Sequence, residues 1–442
     1  MKKIHIIGAS FAGMACARKL ATLLPNYLIV IIDKEEQSEY IPNGLNELVQ
    51  QKIKHLSEST WDDGSTTLPN IVRITAEVIR IHTDNKYLQL RTPDGQEKME
   101  TYQTLVCAMG ATAKSNYIKG SHIEGVMTTK SFTDSKQCLE LIEQKQSITI
   151  IGAGIIGLEL AYSLDLAGKD VTILEATDDI NFSQLDKEMM VPILENIKKS
   201  SVKIKTNARV NEIQKRDDSL TVITDTYQEF TSDMVILAVN FRPNSELLEE
   251  HQLCHFDRTV KVNDQFQTPI KDIYAIGDLI ALNLTTINGP YYNPLINEAI
   301  KTGEKLAYHL AGIRIPKIEI TKVMGSYYFG YYVSSVGLTE EEGSLYHDLV
   351  SLIYKTEIKN QDNSTIWIKL IAQKESGILM GAQIISRENH FLLTNQLSQA
   401  LQHKLKDVEL AFQDFIYSSG KTTLAYTLHQ AMLALFEKRS LK

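Results

Sequence analysis

The chain has 442 residues, more than a single core usually holds, and length alone suggests about three domains. A composition of 43% hydrophobic and 23% charged residues with a net charge of −8 describes an ordinary globular protein and leaves no basic stripe to neutralise nucleic-acid phosphates. No apolar run approaches the roughly 20 residues of a membrane span, and Gly8 interrupts MKKIHIIGAS too early for a signal peptide, so the sequence reads as cytoplasmic.

The first informative segment is KKIHIIGASFAGMACARKLATLLPNYLIVIIDK. A β run at residues 4–7 enters the loop G-A-S-F-A-G, a helical stretch covers 14–24, and a second β run at 28–32 ends at Asp33, 20 residues after Gly13. This is the order of a dinucleotide-binding unit: Gly8 permits the tight turn and Gly13 lets helix and strand pack closely. The helix N-terminus then faces a pyrophosphate, and the acid accepts from a ribose hydroxyl. Ser10 takes the place of the middle glycine.

Next comes SEYIPNGLNE, residues 38–47, whose Pro42-Asn43-Gly44 is ordinary turn chemistry before a helix start. Residues 72–107 read as strands with turns at Asp84-Asn85 and Pro93-Asp94-Gly95, ending in the buried strand and small-residue turn LVCAMGA.

A second nucleotide unit lies in SITIIGAGIIGLELAYSLDLAGKDVTILEA, with glycines at Gly152, Gly154 and Gly157 and Glu175 ending the following strand. An acid there selects a free 2′-hydroxyl over a 2′-phosphate. With Asp178 and Asp179 following, NADH is expected over NADPH. Downstream, DIYAIGDLIAL runs a strand into Gly277-Asp278, and PLINEAIKTGEKLAYHLAG reads as a helix.

From about residue 320 the chain turns aromatic. VMGSYYFGYYVSSVG, STIWIKLIA and GILMGAQIIS read as strands, and two amphipathic helices follow. Tyr327, Tyr328, Tyr331 and Tyr332 read as a strand packed in a core or subunit interface, and Glu340 to Glu342 as a solvated helix start. Cys16, Cys107, Cys138 and Cys254 share no CxxC spacing and read as buried structural thiols; no metal site is expected.

Taken together, GASFAG, AMGA, GAGIIGLELA, VNFRPN, IYAIGD, PLINEAIKTG and the late DFIY resemble the flavoprotein pyridine nucleotide-disulfide oxidoreductases, end to end. Within them the chain is similar to the branch of NADH oxidase, NADH peroxidase and coenzyme A-disulfide reductase. The resemblance implies an α/β fold with two Rossmann-like three-layer domains and a C-terminal α+β dimerisation domain. An FAD domain would span 1–117 and 245–318, an NAD domain 118–244 and the dimerisation domain 319–442.

It also implies that FAD is held by Gly8, Ser10, Phe11, Ala12, Gly13, Asp33, Lys34, Pro42, Asn43, Val78, Ala108, Met109, Gly110, Asp278, Leu295, Ile296 and Asn297. NADH would lie on Gly152, Gly154, Ile155, Ile156, Gly157, Glu175 and Asn240.

The chain departs from the branch where its chemistry sits. Asn43 occupies the position of the redox cysteine, and Phe11 that of an active-site histidine. Ile155 stands where a tyrosine often shields the flavin, and Asn240 replaces a glycine near the expected nicotinamide ribose. A carboxamide cannot form the sulfenic acid or mixed disulfide that a thiolate forms, and a phenyl ring moves no proton. The expected activity is therefore hydride transfer from NADH to FAD, then direct reduction of dioxygen to hydrogen peroxide. The alternatives are an NADH reductase of a protein or quinone acceptor, a low-turnover sensor or scaffold binding both nucleotides, and, least favoured, coenzyme A-disulfide reduction.

Overall fold

Two parallel sheets of one plan organise the chain, for which a computed structural model describes residues 2–35, 39–61, 68–113, 115, 117–181, 183–239, 241–287, 289–358, 364–417 and 423–441. In the first sheet the strands lie in the order Ile273–Ala275, Thr104–Cys107, Lys2–Ile7, Tyr27–Asp33 and Ile71–Thr75, every adjacent pair parallel. In the second the order is Val126–Met127, Met234–Leu237, Ser147–Ile151, Asp170–Leu174 and Lys203–Lys205, again all parallel. Strands buried on both faces must be continuously apolar; LIVII, ITII and VIL supply this.

Each central strand leaves its sheet through a glycine turn into a helix, Phe11–Leu23 or Ile155–Leu166. Gly8 and Gly152 both have a positive φ, +102° and +107°, which a side chain would strain. A Cβ at Gly13 would run into the Gly8 carbonyl, and one at Gly157 into that of Gly152. Between strands of each parallel sheet the chain inserts a three-stranded antiparallel sheet: Glu77–His82, Tyr87–Arg91 and Glu97–Thr101 in one case, Val210–Arg216, Ser219–Thr224 and Glu229–Ser232 in the other.

The last part of the chain forms an antiparallel sheet, Met324–Tyr328, Tyr331–Gly337, Leu379–Ser386, Thr365–Gln373 and Leu349–Glu357. Helices Phe391–Gln402 and Thr423–Ser440 share its core through Leu397, Leu401, Leu428 and Leu435. The aromatic hairpin packs inward as the sequence suggested: Tyr328 is fully buried and accepts from Asn181 Nδ2 at 3.1 Å, while Tyr327 is half-exposed. Among the described residues no helix is long and apolar enough to cross a membrane.

The acidic run does start a helix, but only Glu341 of the three is left to solvent. Thr339 caps the helix Glu340–Ser344, but Glu342 pairs with buried Lys322 at 2.5 Å and Glu340 with buried Lys369 at 2.7 Å. Lys369 also meets Glu188 and, at 2.9 Å, Asp186. Burial lowers the Lys369 ammonium, yet its three carboxylates outweigh that and leave it raised. These ion pairs tie the start of the helix Lys187–Ile197 to the antiparallel sheet.

Candidate functional site

Both glycine loops hold their acid in the same way. The Ala9 amide donates to Asp33 Oδ2 at 2.5 Å and the Glu35 amide to Oδ1 at 2.8 Å. In the second unit the Ala153 amide donates to Glu175 Oε2 at 2.8 Å, and the Thr177 amide to Oε1 at 3.0 Å. Each carboxylate is thus drawn across its loop to the start of its helix, at residues Ser10 and Gly154, where unpaired helix amides favour anions. Ala12 and Gly13 are buried in the first turn, and Lys34 is exposed beside Asp33. Val78 is buried in the first core, two residues past Ala76, whose amide donates to the Asp33 carbonyl.

Phe11 closes this corner with an apolar wall. Its ring lies 5.5 Å from that of Trp61, over which the Arg18 guanidinium sits at 5.1 Å. No proton donor is built at Phe11.

The turn before the helix Gly44–Val49 is held from beneath by Tyr40. Its buried hydroxyl accepts from the Leu45 amide at 2.9 Å, and its ring meets Phe132 edge-on. Pro42 is half-buried and Asn43 exposed at the helix N-cap. The Asn43 Oδ1 accepts from Asn46 Nδ2 at 3.0 Å. The turn carries a carboxamide and no redox-active atom.

Asp278 follows the edge strand Ile273–Ala275 and pairs with Lys130 at 3.0 Å. Lys130 comes from the other half of the chain, and its ammonium also lies over the Phe241 ring at 5.4 Å. The Ala108-Met109-Gly110 turn is clamped by Asn244: its Nδ2 donates to the Met109 carbonyl at 2.9 Å and its amide to the Gly110 carbonyl at 2.9 Å. Leu295 caps the helix Ile296–Leu310, with Ile296 and Asn297 exposed in its first turn. The sequence reading missed both Lys130 and Asn244. Asn244 lies in the VNFRPN segment already singled out; Lys130 carries no local signal.

Beside Glu175 opens a cavity of about 320 Å³, lined by Gly152, Leu174, Tyr117, Arg209 and Val239 among others. Ile155 is half-buried and Ile156 exposed at the mouth of the second loop. Asp178 and Asp179 do not stand as free charges, since Lys187 pairs with them at 3.2 and 2.8 Å. Asn240 lies outside the described residues.

The four cysteines are free thiols, three buried and Cys254 half-buried. Burial pushes Cys107 and Cys138 up to about 12 and raises Cys16 and Cys254 as well. None is poised as a thiolate.

Known proteins resemble the chain over most of its length. Residues 2–303 match the pyridine nucleotide-disulphide oxidoreductase family. An NADH oxidase of Streptococcus pyogenes serotype M6 is 27% identical over 441 residues, covering 94% of this chain and 96% of its own. A CoA-dependent NAD(P)H sulfur oxidoreductase of Pyrococcus abyssi is 27% identical over 401 residues and 88% of each chain. In structure, the water-forming NADH oxidase of Lactobacillus brevis superposes with a TM-score of 0.94 at 20% identity, over 100% of this chain and 99% of that one. The family match spans well over half of the chain, and the chain belongs to the pyridine nucleotide-disulphide oxidoreductases.

Proposed function

We propose that this protein is an FAD-dependent NADH oxidase that reduces dioxygen to hydrogen peroxide: NADH + H⁺ + O₂ → NAD⁺ + H₂O₂. The observation that carries the reading is the pair of equivalent loops, each with its acid bound to its own loop amide, combined with a thiol-free turn at Asn43. Similarity to NADH oxidases over 94% of the chain supports the NADH oxidase activity, and the product is read from the Asn43 turn.

The residues present fit both nucleotides. Each acid accepts through both oxygens from loop amides, and a carboxylate has lone pairs left for ribose hydroxyls. Exposed Ile156 and Ile296 stand at two helix starts, where an apolar ring system would cover them. FAD, when bound, supplies the two-electron redox chemistry.

The chain supplies binding and shielding. Ser10, Ala12 and Gly13 would offer amides to the pyrophosphate beyond the Gly8 turn, whose own amide donates to the Ile32 carbonyl, and Asp33, flanked by Lys34 and Val78, would hold the adenosine ribose. Ala108, Met109 and Gly110, clamped by Asn244, would hold the flavin ring together with Leu295, Ile296 and Asn297. Asp278, oriented by Lys130, takes the ribityl region. Gly152, Gly154, Ile155, Ile156 and Gly157 with Glu175 seat NADH, and Asn240 adjoins its ribose. Asn43, beside Pro42, donates a hydrogen bond at the reacting edge while Phe11 excludes water there. With no thiol and no histidine at these positions, nothing traps peroxide, and it leaves.

In this proposal residues 1–117 with 245–318 bind FAD, 118–244 bind NADH, and 319–442 form a homodimer through exposed apolar residues such as Leu392, Phe412 and Ile416. Use of NADH and four unpaired thiols suit the cytoplasm. The test is oxygen uptake by protein purified with FAD: NADH should drive it without any added thiol or coenzyme A. Absence of uptake in flavin-loaded protein would contradict the proposal.

A further inference from the structure

Tyr117 and Arg209 line the cavity beside Glu175, and the proposed reaction leaves both without a role. One backbone arrangement brings them there. Residues 117–119 run beside the strand Val210–Arg216: the Lys119 amide donates to the Asn211 carbonyl at 2.9 Å, and the Ile213 amide donates back to the Lys119 carbonyl at 2.8 Å. Arg209 immediately precedes that strand, and the Ala208 amide before it donates to the Glu175 carbonyl at 2.8 Å. The segment that leads from the first nucleotide unit to the second is thereby laid against the acid of the second.

The side chains suit a flat aromatic group. Ile118, Leu174, Val210 and Val239 give the cavity apolar walls. Tyr117 is 55% exposed at its rim. Burial raises the Tyr117 hydroxyl, Arg209 and Arg242 oppose the rise, and Glu175 adds to it, so the phenol stands within electrostatic reach of all three. Arg209 is exposed, and among the described residues its guanidinium makes no ion pair and no hydrogen bond, which leaves its plane uncovered. A guanidinium plane and a phenol ring both stack on an aromatic face. At about 320 Å³ the cavity is at the small end of ligand pockets.

We infer that Tyr117 and Arg209 bracket the adenine ring of NADH and set the affinity for the adenosine half of the dinucleotide by stacking. The inference rests on NADH lying on the second glycine loop with a ribose at Glu175. A base joined to that ribose enters the cavity that Glu175 itself lines. Stacking needs no hydrogen bond to the base, and the apolar walls offer none. Because Tyr117 belongs to the segment joining the two nucleotide units, the base is held in part by the connection between them.

The test is anaerobic reduction of the FAD-loaded protein by NADH and by reduced nicotinamide mononucleotide, which carries the same hydride but no adenosine. Tyr117→Leu and Arg209→Met should each raise the NADH dissociation constant roughly tenfold. The limiting rate of flavin reduction by NADH should stay within about twofold, because neither side chain meets the nicotinamide. Reduction by the mononucleotide should likewise change by no more than about twofold. Tyr117→Phe, which keeps the ring, should hold the dissociation constant within about threefold of the parent. Arg209→Lys, which keeps the charge and loses the plane, should weaken NADH as Arg209→Met does. Equal losses with both nucleotides would mark the residues as structural and overturn the inference. So would parent-like NADH binding in Tyr117→Leu or in Arg209→Lys. A parent protein whose flavin NADH does not reduce would overturn the NADH site itself, and the bracket with it.

Discussion

Replacing Glu175 with Gln should collapse the preference for NADH over NADPH. The carboxylate is fixed by the Ala153 and Thr177 amides at 2.8 and 3.0 Å, and by the Thr177 hydroxyl at 3.1 Å. It therefore cannot swing away from an incoming 2′-phosphate. A full negative charge about 5 Å from a phosphate of nearly two charges, in a largely aqueous setting, costs on the order of 2 kcal/mol. That corresponds to roughly 30-fold in the ratio of kcat/KM values. Asp178 and Asp179 add less than their number suggests, because Lys187 pairs with both and cancels one of the two charges, and Arg209 lies on the cavity wall. Gln keeps one of the two acceptor oxygens, enough for the Ala153 amide, while the Thr177 amide loses its partner. The assay is anaerobic stopped-flow reduction of the bound flavin by each nucleotide. The ratio of rates should narrow by about 30-fold, mostly through faster NADPH reduction. An unchanged ratio would refute the assignment of Glu175 to the ribose.

Three further outcomes follow from the packing. Replacing all four cysteines with Ser or Ala should leave NADH turnover within about twofold, since no thiol is ionised near neutral pH; loss of turnover in Cys16→Ser with FAD still bound would contradict the thiol-free site. Lys369→Met should lower stability by about 3–5 kcal/mol, because it leaves buried Asp186 without its cation. Urea unfolding would show this, and Asp186→Asn in the same chain should recover part of the loss; a change under about 1 kcal/mol would mean the carboxylates escape to water. His390, buried against the Ser334 hydroxyl at 2.9 Å, is held down to about 4 by burial, against 6.5 for the free side chain. Its folded value lies below its unfolded one, so its contribution is intact above pH 6.5 and is lost as pH falls toward 4, about 3 kcal/mol in all. Urea midpoints followed from pH 7.5 to 4 should fall less steeply in His390→Asn; parallel curves would show that His390 protonates freely in the folded protein.

The nucleotide folds were legible because their signals are local. A strand, a glycine turn and an acid some 20 residues on specify Gly8, Gly13 and Asp33 without reference to the rest of the chain, and the same holds for Gly152, Gly157 and Glu175. Asn43 was legible by its place in a turn, although Tyr40 and Asn46, which fix that turn, were not singled out. What escaped is what distance in sequence conceals. Lys130 reaches Asp278 across 148 residues and Lys369 reaches Glu188 across 181, and no periodicity marks either partner. Glu340 to Glu342 misled for the same reason: three consecutive acids look solvated until the folded chain sets buried Lys322 and Lys369 against them. Lys187 likewise pairs with two aspartates that sequence alone leaves unpartnered, and cancels one of their two charges.

The central claim is that Asn43 and Phe11 leave peroxide untrapped. An oxygen electrode measures it directly: NADH is oxidised to completion by the FAD-loaded protein, and catalase is then added. The account predicts that about half of the consumed oxygen returns, as two-electron reduction requires. No return of oxygen, with NADH fully oxidised, would mean that the oxygen was reduced to water and would contradict the account.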